Sequence, residues 1–370
     1  MDIVPVEGPR DLSRFIRVPF DIYRDDPHWV APLIGDERIR LTPGKNPFFD
    51  HGEAAYYLAR EGGAIAGRIA ASVDRNHDET HGEKQAAFGF FEARSAEAAA
   101  ALLAAAEAWA RAKGAAVARG PLSFSTNDEA GLLIEGFGVS QPMMMPYNPP
   151  DYAAWIESAG YRKAKDLYSF SIPGPYTVPA TFYRISEMAR RRGKVTTRPL
   201  AMKRFDEELA LVKEIYNRAW EKNWGFVPMT EAEIDHMARQ LKPAVVPDFV
   251  RFAELEGKAV GFLLYLPDVN LALKPVRGKL FPFGIFRVLW GLPRVREGRL
   301  MALGVVQEHR RTGIAPALVS DMADVLNRRG YRRSTIGWTL EDNDAVNDLA
   351  IGFGCTRSAV HRVYEKSLAG

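Results

Sequence analysis

The fold turns on residues 299–338, RLMALGVVQEHRRTGIAPALVSDMADVLNRRGYRRSTIGW. The apolar run 300–306 predicts a strand, a short basic loop follows it, then a helix, and 334–338 predicts a second strand. Arg310 and Arg311 stand just before Gly313, where the loop turns into the helix. A helix N-terminus presents unpaired N–H groups and a positive dipole end, which suits a phosphate or pyrophosphate. Gly313 and Ala315 are small enough to let such a ligand reach the backbone. Pro316 falls in the first helical turn, where its missing N–H costs nothing.

The spacing Arg310-x-x-Gly313-x-Ala315 behind a strand resembles the acyl-CoA pyrophosphate loop of the GCN5-related N-acetyltransferase (GNAT) superfamily. There the next segment carries N-x-x-A-x-x-x-Y-x-x-x-G-F. Here Asn343 and Gly354 keep the spacing, while Ala350 stands at the tyrosine position. The resemblance implies an α/β (α+β) fold, a mixed central sheet flanked by helices, with acyl-CoA as co-substrate and no metal. It implies that the N–H groups of Arg311, Thr312, Gly313, Ile314 and Ala315, beside Arg310, hold the pyrophosphate. A backbone N–H at Val305 or Val306 would polarise the thioester carbonyl, and Asn343 would sit beside the pantetheine arm. The plainer reading of Asn343 is a helix N-cap.

The implied chemistry moves an acyl group from a thioester to an amine. It needs a neutral amine, a proton acceptor and often an acid for the departing thiolate. With Ala350 at the usual tyrosine, Tyr364 near the chain end is the candidate acid; its plainer reading is a core tyrosine. No carboxylate stands in 300–306, and Glu308 and His309 just after it as readily face solvent.

Outward from this stretch the chain repeats itself. GGAIAGRIAA (62–71) matches EGKAVGFLLY (256–265), and AGYRKAKDLYSF (159–170) matches FGCTRSAVHRVYEK (353–366). Gly67 and Gly261 lie 194 apart, as do Gly160 and Gly354, the mark of an internal duplication. Alanine-rich 95–113 predicts a helix with Ser95 as N-cap and Gly114 as stop. Laid on its counterpart at Gly114 and Gly330, it puts Arg94 opposite Arg310 and Glu97 opposite Gly313. A glutamate there opposes a pyrophosphate, so the first copy is expected to have lost the cofactor site. The expected organisation is two tandem GNAT-like domains: 1–172 with a degenerate site, a linker over 173–193, and 194–370 with the acyl-CoA site.

Each copy carries an insert. In the first, near 120–148, Asp128 and Glu129 follow a strand end and are candidate acceptor-site residues; the plainer reading is a covering loop. The second insert, near 268–298, is apolar and aromatic over 280–295, and Lys274, Arg277, Lys279, Arg287, Arg294, Arg296 and Arg299 lie in or around it. Residues 274–299 are therefore expected to touch a membrane surface, or else to fold as a cap onto the domain's own core.

Composition sets the limits. A chain of 370 residues suggests two domains, and 47% hydrophobic residues suffice for their cores. Net charge of +3 gives no argument for a nucleic-acid partner. The single cysteine, Cys355, excludes an internal disulfide and points to a reducing compartment. No apolar run reaches the ~20 residues of a membrane span, and the N-terminus lacks a signal-peptide pattern. The expected location is cytoplasmic, or peripheral to the inner membrane. The expected activity is N-acyl transfer from acyl-CoA, or an acyl-carrier thioester, to a small-molecule or lipid amine. The whole-chain pattern resembles a bacterial group acting on long-chain amines, ceramide-synthase-like enzymes among them. The rival readings are a Fem-type aminoacyl transferase and a non-catalytic CoA-binding sensor.

Overall fold

The computed structural model describes residues 1–368. The chain separates into two compact units. One comprises Met1–Leu167, Leu273–Val288 and the C-terminal segment from Ala359; the other comprises Tyr168–Ala272 and Leu289–Ser358.

In the first unit β1 (Asp2–Pro5), β2 (Gly52–Glu61), β3 (Ala64–Asp74) and β4 (Gln85–Ala93) pair antiparallel in sequence. Parallel to β4 runs β5 (Val117–Gly120), and β6 (Leu132–Glu135) is a short strand beyond it. The helices are α1 (Gly8–Ile22), α2 (Ile34–Arg40), α3 (Arg75–His81), α4 (Ala96–Ala112) and α5 (Tyr152–Ser158). Next comes β7 (Arg162–Pro173), inside which the chain passes to the second unit.

That unit contains α6 (Ala180–Gly193), β8 (Val195–Pro199), α7 (Phe205–Trp220), α8 (Glu231–Leu241), β9 (Val250–Leu255) and β10 (Lys258–Pro267). The insert follows, with α9 (Asn270–Leu273) and α10 (Gly284–Gly291). Last come β11 (Glu297–Val305), α11 (Ile314–Arg328), β12 (Arg333–Leu340), α12 (Asp344–Gly352) and β13 (Thr356–Ser367).

Strand order is β1-β2-β3-β4-β5-β13 in the first unit, with β6 also on β13, and β8-β9-β10-β11-β12-β7 in the second. In each unit the strand order thus takes in the other copy's last strand. In sequence β7 closes the first copy, yet it lies beside β12; β13 closes the second, yet it pairs with β5 from Tyr364↔Gly120 to Ser367↔Val117. The units are interleaved along the chain, unlike the simple succession 1–172 then 194–370. Residues 173–193, expected as a linker, hold α6, whose Ser186 hydroxyl lies 3.3 Å from that of Ser320 on α11 and whose Arg190 pairs with Asp321.

The duplicated glycines have one physical reason. A Cβ at Gly67 would meet Glu92 O at 2.4 Å and Leu102 of α4 at 2.8 Å; one at Gly261 would meet Gly304 O at 3.0 Å and Ile314 of α11 at 3.2 Å. In both units the helix after the parallel strand presses on the sheet at this point. The buried stripe of α4 (Ala98, Ala99, Leu102, Leu103, Ala106, Ala110) follows helical spacing. Ser95 caps it, accepting from Ala98 N–H, and Gly114 follows its end at φ +78°.

Candidate active site

β11 and β12 pair only from Glu297↔Arg333 to Leu300↔Ile336, and beyond that point they part. The buried Arg299 sits at the fork, its Nε–H donating to Gly337 O at 2.8 Å. It is a strut between the strands, which removes it from the basic rim expected around the insert. The opening is a cavity of about 1040 Å³ counting its mouth, walled by Leu303 on β11, Val319, Met322 and Leu326 on α11, and Val346 and Leu349 on α12. Toward the paired end of the strands lies a buried hydroxyl chain: Tyr265 OH is 2.9 Å from Ser334 Oγ, which is 2.8 Å from Tyr176 OH. Among the described residues no Asp, Glu, His, Lys or Arg lines the cavity.

The backbone at its mouth decides what it can hold. Val306 N–H donates to Val260 O, so it has no capacity left for a ligand, contrary to the expectation that allowed either valine. Antiparallel pairing alternates direction residue by residue, so the N–H of Val305, opposite Gly261, points away from β10, toward the side where β11 and β12 part. Gly313 is the N-cap of α11 at φ +88°, no side chain caps that helix, and no acidic residue stands in its first turn. The first-turn N–H groups of Ile314 and Ala315 are thus open by geometry. Arg311 adopts φ +64° and, like Thr312, is exposed. Arg310 differs from expectation: its guanidinium turns back to Ala219 O and Val305 O, bracing the loop. The glycine at 313 is needed twice over, since a Cβ would also meet Ala189 and Ile185 of α6 at 3.0–3.1 Å. Asn343 is the N-cap residue of α12, yet its side chain makes no capping bond, and it lines the cavity together with Ala350.

The other candidates lie elsewhere. Tyr364 is buried in the first unit with its OH donating to Glu157 at 3.0 Å, and burial pushes its pKa up, so it is a core residue and no acid for the thiolate. Asp128 and Glu129, in the same unit, pair with Arg40 at 3.1 and 3.2 Å and are absent from the cavity lining. Burial opposes the charge on Arg40, but Asp128, Glu129 and Glu37 outweigh it and hold the guanidinium protonated. They neutralise an arginine that is largely withdrawn from water. Glu308 is exposed and pairs with Arg218 at 2.9 Å.

A residue that sequence reasoning passed over explains the first copy. Gly67 pairs with Ala93 as Gly261 pairs with Val305, and Arg94 N–H donates to Ala66 O as Val306 N–H does to Val260 O. Ala93 is therefore the counterpart of Val305. Its N–H is not open: it donates to Tyr152 OH at 2.9 Å, and the same hydroxyl lies 3.0 Å from Ala93 O and Glu92 Oε2. Tyr152 stands 194 residues before Val346, which lines the cavity of the second unit. The tyrosine plugs the slot that the valine leaves open. Glu92 is buried against Tyr23 OH (2.7 Å) and Tyr152, and burial pushes its pKa up to about 7.

The same register revises the reason the first copy lacks a phosphate loop. Ala93 and Val305 lie 212 apart, whereas the helix-ending Gly114 and Gly330 lie 216 apart. The turn itself holds eight residues (306–313) against two (94 and 95), and the helix after it is two residues shorter, 15 against 17. The first copy lacks the loop altogether, where the helix alignment suggested only a glutamate at its glycine.

Residues 209–354 match the model of the acetyltransferase (GNAT) family. The chain belongs to the GNAT family and is an N-acyltransferase of its tandem form. Over 382 residues it is 37% identical to the bacterial ceramide synthase of Caulobacter vibrioides, covering 100% of this chain and 98% of that one. It is also 37% identical over 366 residues to protein YghO of Escherichia coli, covering 97% and 93%. Among solved structures, a tandem GNAT protein from the clavulanic acid biosynthesis pathway shares the fold with TM-score 0.57 and 16% identity, covering 100% and 99%. A GCN5-related N-acetyltransferase from Sphaerobacter thermophilus does so at 0.52 and 16%, covering 99% and 96%.

Proposed function

We propose that the chain transfers a long acyl group from acyl-CoA to a lipid amine, with all cofactor contacts in the second unit. The observation that carries this reading is the Val305 N–H turned away from β10, on the side where β11 and β12 part around a largely apolar cavity, beside a helix N-terminus that no side chain caps. In this reading the backbone from Arg311 to Ala315 holds the pyrophosphate, Asn343 faces the pantetheine arm, and Val305 N–H donates to the thioester carbonyl. The thioester supplies the activated acyl group; the protein supplies position, a fixed donor and a dry wall. The apolar lining by Val319, Met322 and Leu326 suits a chain well beyond acetyl. The name of the Caulobacter vibrioides relative supports a sphingoid-type amine as acceptor.

Among the described residues no titratable side chain other than Tyr176 and Tyr265 lines the cavity, and burial raises the pKa of both. The cavity walls thus offer no base near neutrality, and the amine must arrive neutral or lose its proton to water. The test is thiol release from an acyl-CoA length series with long-chain 2-amino alcohols, short amines and no amine. Turnover that needs both a long-chain donor and a long-chain amine supports the reading. Turnover only with acetyl-CoA and short amines, or only with aminoacyl-tRNA, contradicts it.

A further inference from the structure

The insert of the second copy is rooted in protein and bare at its tip. At the root, Gly278 O accepts from Ile34 N–H at 3.2 Å, Lys274 Nζ donates to Ser140 Oγ at 2.9 Å, and Val276 is buried. A Cβ at Gly278, whose φ is +76°, would run into the Phe20 ring at 2.6 Å, so the attachment is close. At the tip the picture reverses. Phe281, Phe283, Phe286, Leu289 and Trp290 are 61–80% exposed, the five most exposed large apolar side chains of the described residues. Phe283, Phe286 and Trp290 recur at i, i+3 and i+7, so they share one side of α10 and the turn before it. These five side chains cover no core, whereas Ala272, Val276 and Val295 of the same insert are buried.

We infer that this tip is a docking surface for an anionic lipid bilayer, with the aromatic side chains entering the headgroup region and the flanking cations meeting lipid charge. Charge selects this occupant. From residue 269 to 296 the chain holds Lys274, Arg277, Lys279, Arg287, Arg294 and Arg296 and not one Asp or Glu. All but Lys274 are exposed. A second copy docking through the same patch would bring two such clusters face to face, which like-charge repulsion opposes. An anionic membrane matches both parts at once, since exposed aromatics enter the interface and basic residues gain from its surface potential. Among the described residues no helix is long and apolar enough to cross a membrane, and a segment of this length lies on the surface rather than spanning it. The inference stands apart from the acyl-transfer reading, because nothing in it depends on turnover.

The experiment is flotation of the full chain with vesicles of phosphatidylcholine, alone or mixed with phosphatidylglycerol, at low and high salt. Two variants accompany it: Phe283→Ser/Phe286→Ser/Trp290→Ser and Arg277→Gln/Lys279→Gln/Arg287→Gln. Their thermal midpoints and sedimentation coefficients serve as fold and association controls. We expect the wild type to float with the mixed vesicles and to be released by salt. The aromatic variant should lose binding by about tenfold or more, and the charge variant should lose the preference for phosphatidylglycerol. All this should occur with thermal midpoints unchanged. Absence of flotation with the mixed vesicles overturns the inference, as does flotation that the folded aromatic variant retains. A wild-type dimer that the aromatic variant dissolves also overturns it, for then a second copy covers the patch.

Discussion

The two copies differ most where a strand hands over to a helix. In the first unit β4 ends at Ala93 and α4 begins at Ala96; Ser95 caps the helix with its own side chain, and Glu97 stands in its first turn. In the second, eight residues separate Val305 from Ile314, the turn passes through left-handed Arg311 and Gly313, and the helix end is left open. The slot beside the strand follows suit. Chain beyond β5 stays against β4, with Leu122 N–H donating to Phe88 O at 2.7 Å and Leu122 O only 1.9 Å from where a Cβ at Gly89 would lie. Tyr152 then satisfies Ala93 N–H. Between β11 and β12 nothing similar closes the gap, and it remains a cavity. One fold thus gives a sealed slot and the proposed site, according to six extra loop residues and one aromatic ring. A backbone N–H shut away from water must find a partner; Tyr152 supplies one to Ala93, and the proposed function gives that of Val305 to the thioester.

If that contrast is right, Val346→Tyr should convert the second slot into the first. The ring would occupy the space opposite Val305, and CoA affinity should fall at least about a hundredfold, on the order of 2.7 kcal/mol by titration. A fall under threefold in a folded variant would break the comparison. Met322→Trp acts deeper, on the α11 wall. Donors of long acyl chains should lose kcat/KM by roughly tenfold or more while acetyl-CoA keeps its value, because overpacking removes only the far end of the space. Equal loss for all donors would place the acyl chain elsewhere.

Changes in the first copy should leave CoA binding alone. Tyr152→Phe strands Ala93 N–H and removes a partner of Glu92, at a cost of about 1–3 kcal/mol in denaturant unfolding. Any large gain or loss in CoA affinity would deny that this slot is a sealed support. The smallest effect is a pH dependence. Folded Glu92 holds its proton up to about pH 7, against an ordinary value of 4.5. The stabilisation from that proton is complete below about 4.5 and is lost as pH rises through 7. Relative to Glu92→Gln, the wild type should therefore lose stability across this window, by roughly 3 kcal/mol at most. A flat difference between pH 4 and 8 would mean that the carboxylate is solvated.

The parts of this design legible in the sequence are those set by local rules. Ser95, Gly114 and alanine spacing give α4; the glycine at 313 gives the turn into α11; the matched glycines 67 and 261 give the duplication. The turn bearing the site was legible because glycine, small residues and arginine at that spacing answer to a backbone requirement. What was hidden depends on partners far along the chain. The four residues of β5 carry too little pattern to register as a strand, so the exchange of β7 and β13 between sheets had no signal. Tyr152, in an ordinary helix-starting position, gains its meaning only from Ala93, 59 residues away. Its one available trace was the offset of 194 that sets it opposite Val346. Tyr364, Asp128 and Glu129 misled because a tyrosine or an acidic pair reads alike whether it meets a substrate or, as here, Glu157 and Arg40.

Hydrogen–deuterium exchange of the full chain with and without CoA tests the central claim most directly, because it reports on the backbone groups themselves. Exchange at Val305 and from Arg311 to Ala315 should slow on adding CoA, with Ala93 and the first turn of α4 unchanged. Protection appearing at Ala93 to Ala98, or none in the turn before α11, would contradict the assignment of an open site to the second copy and a sealed one to the first.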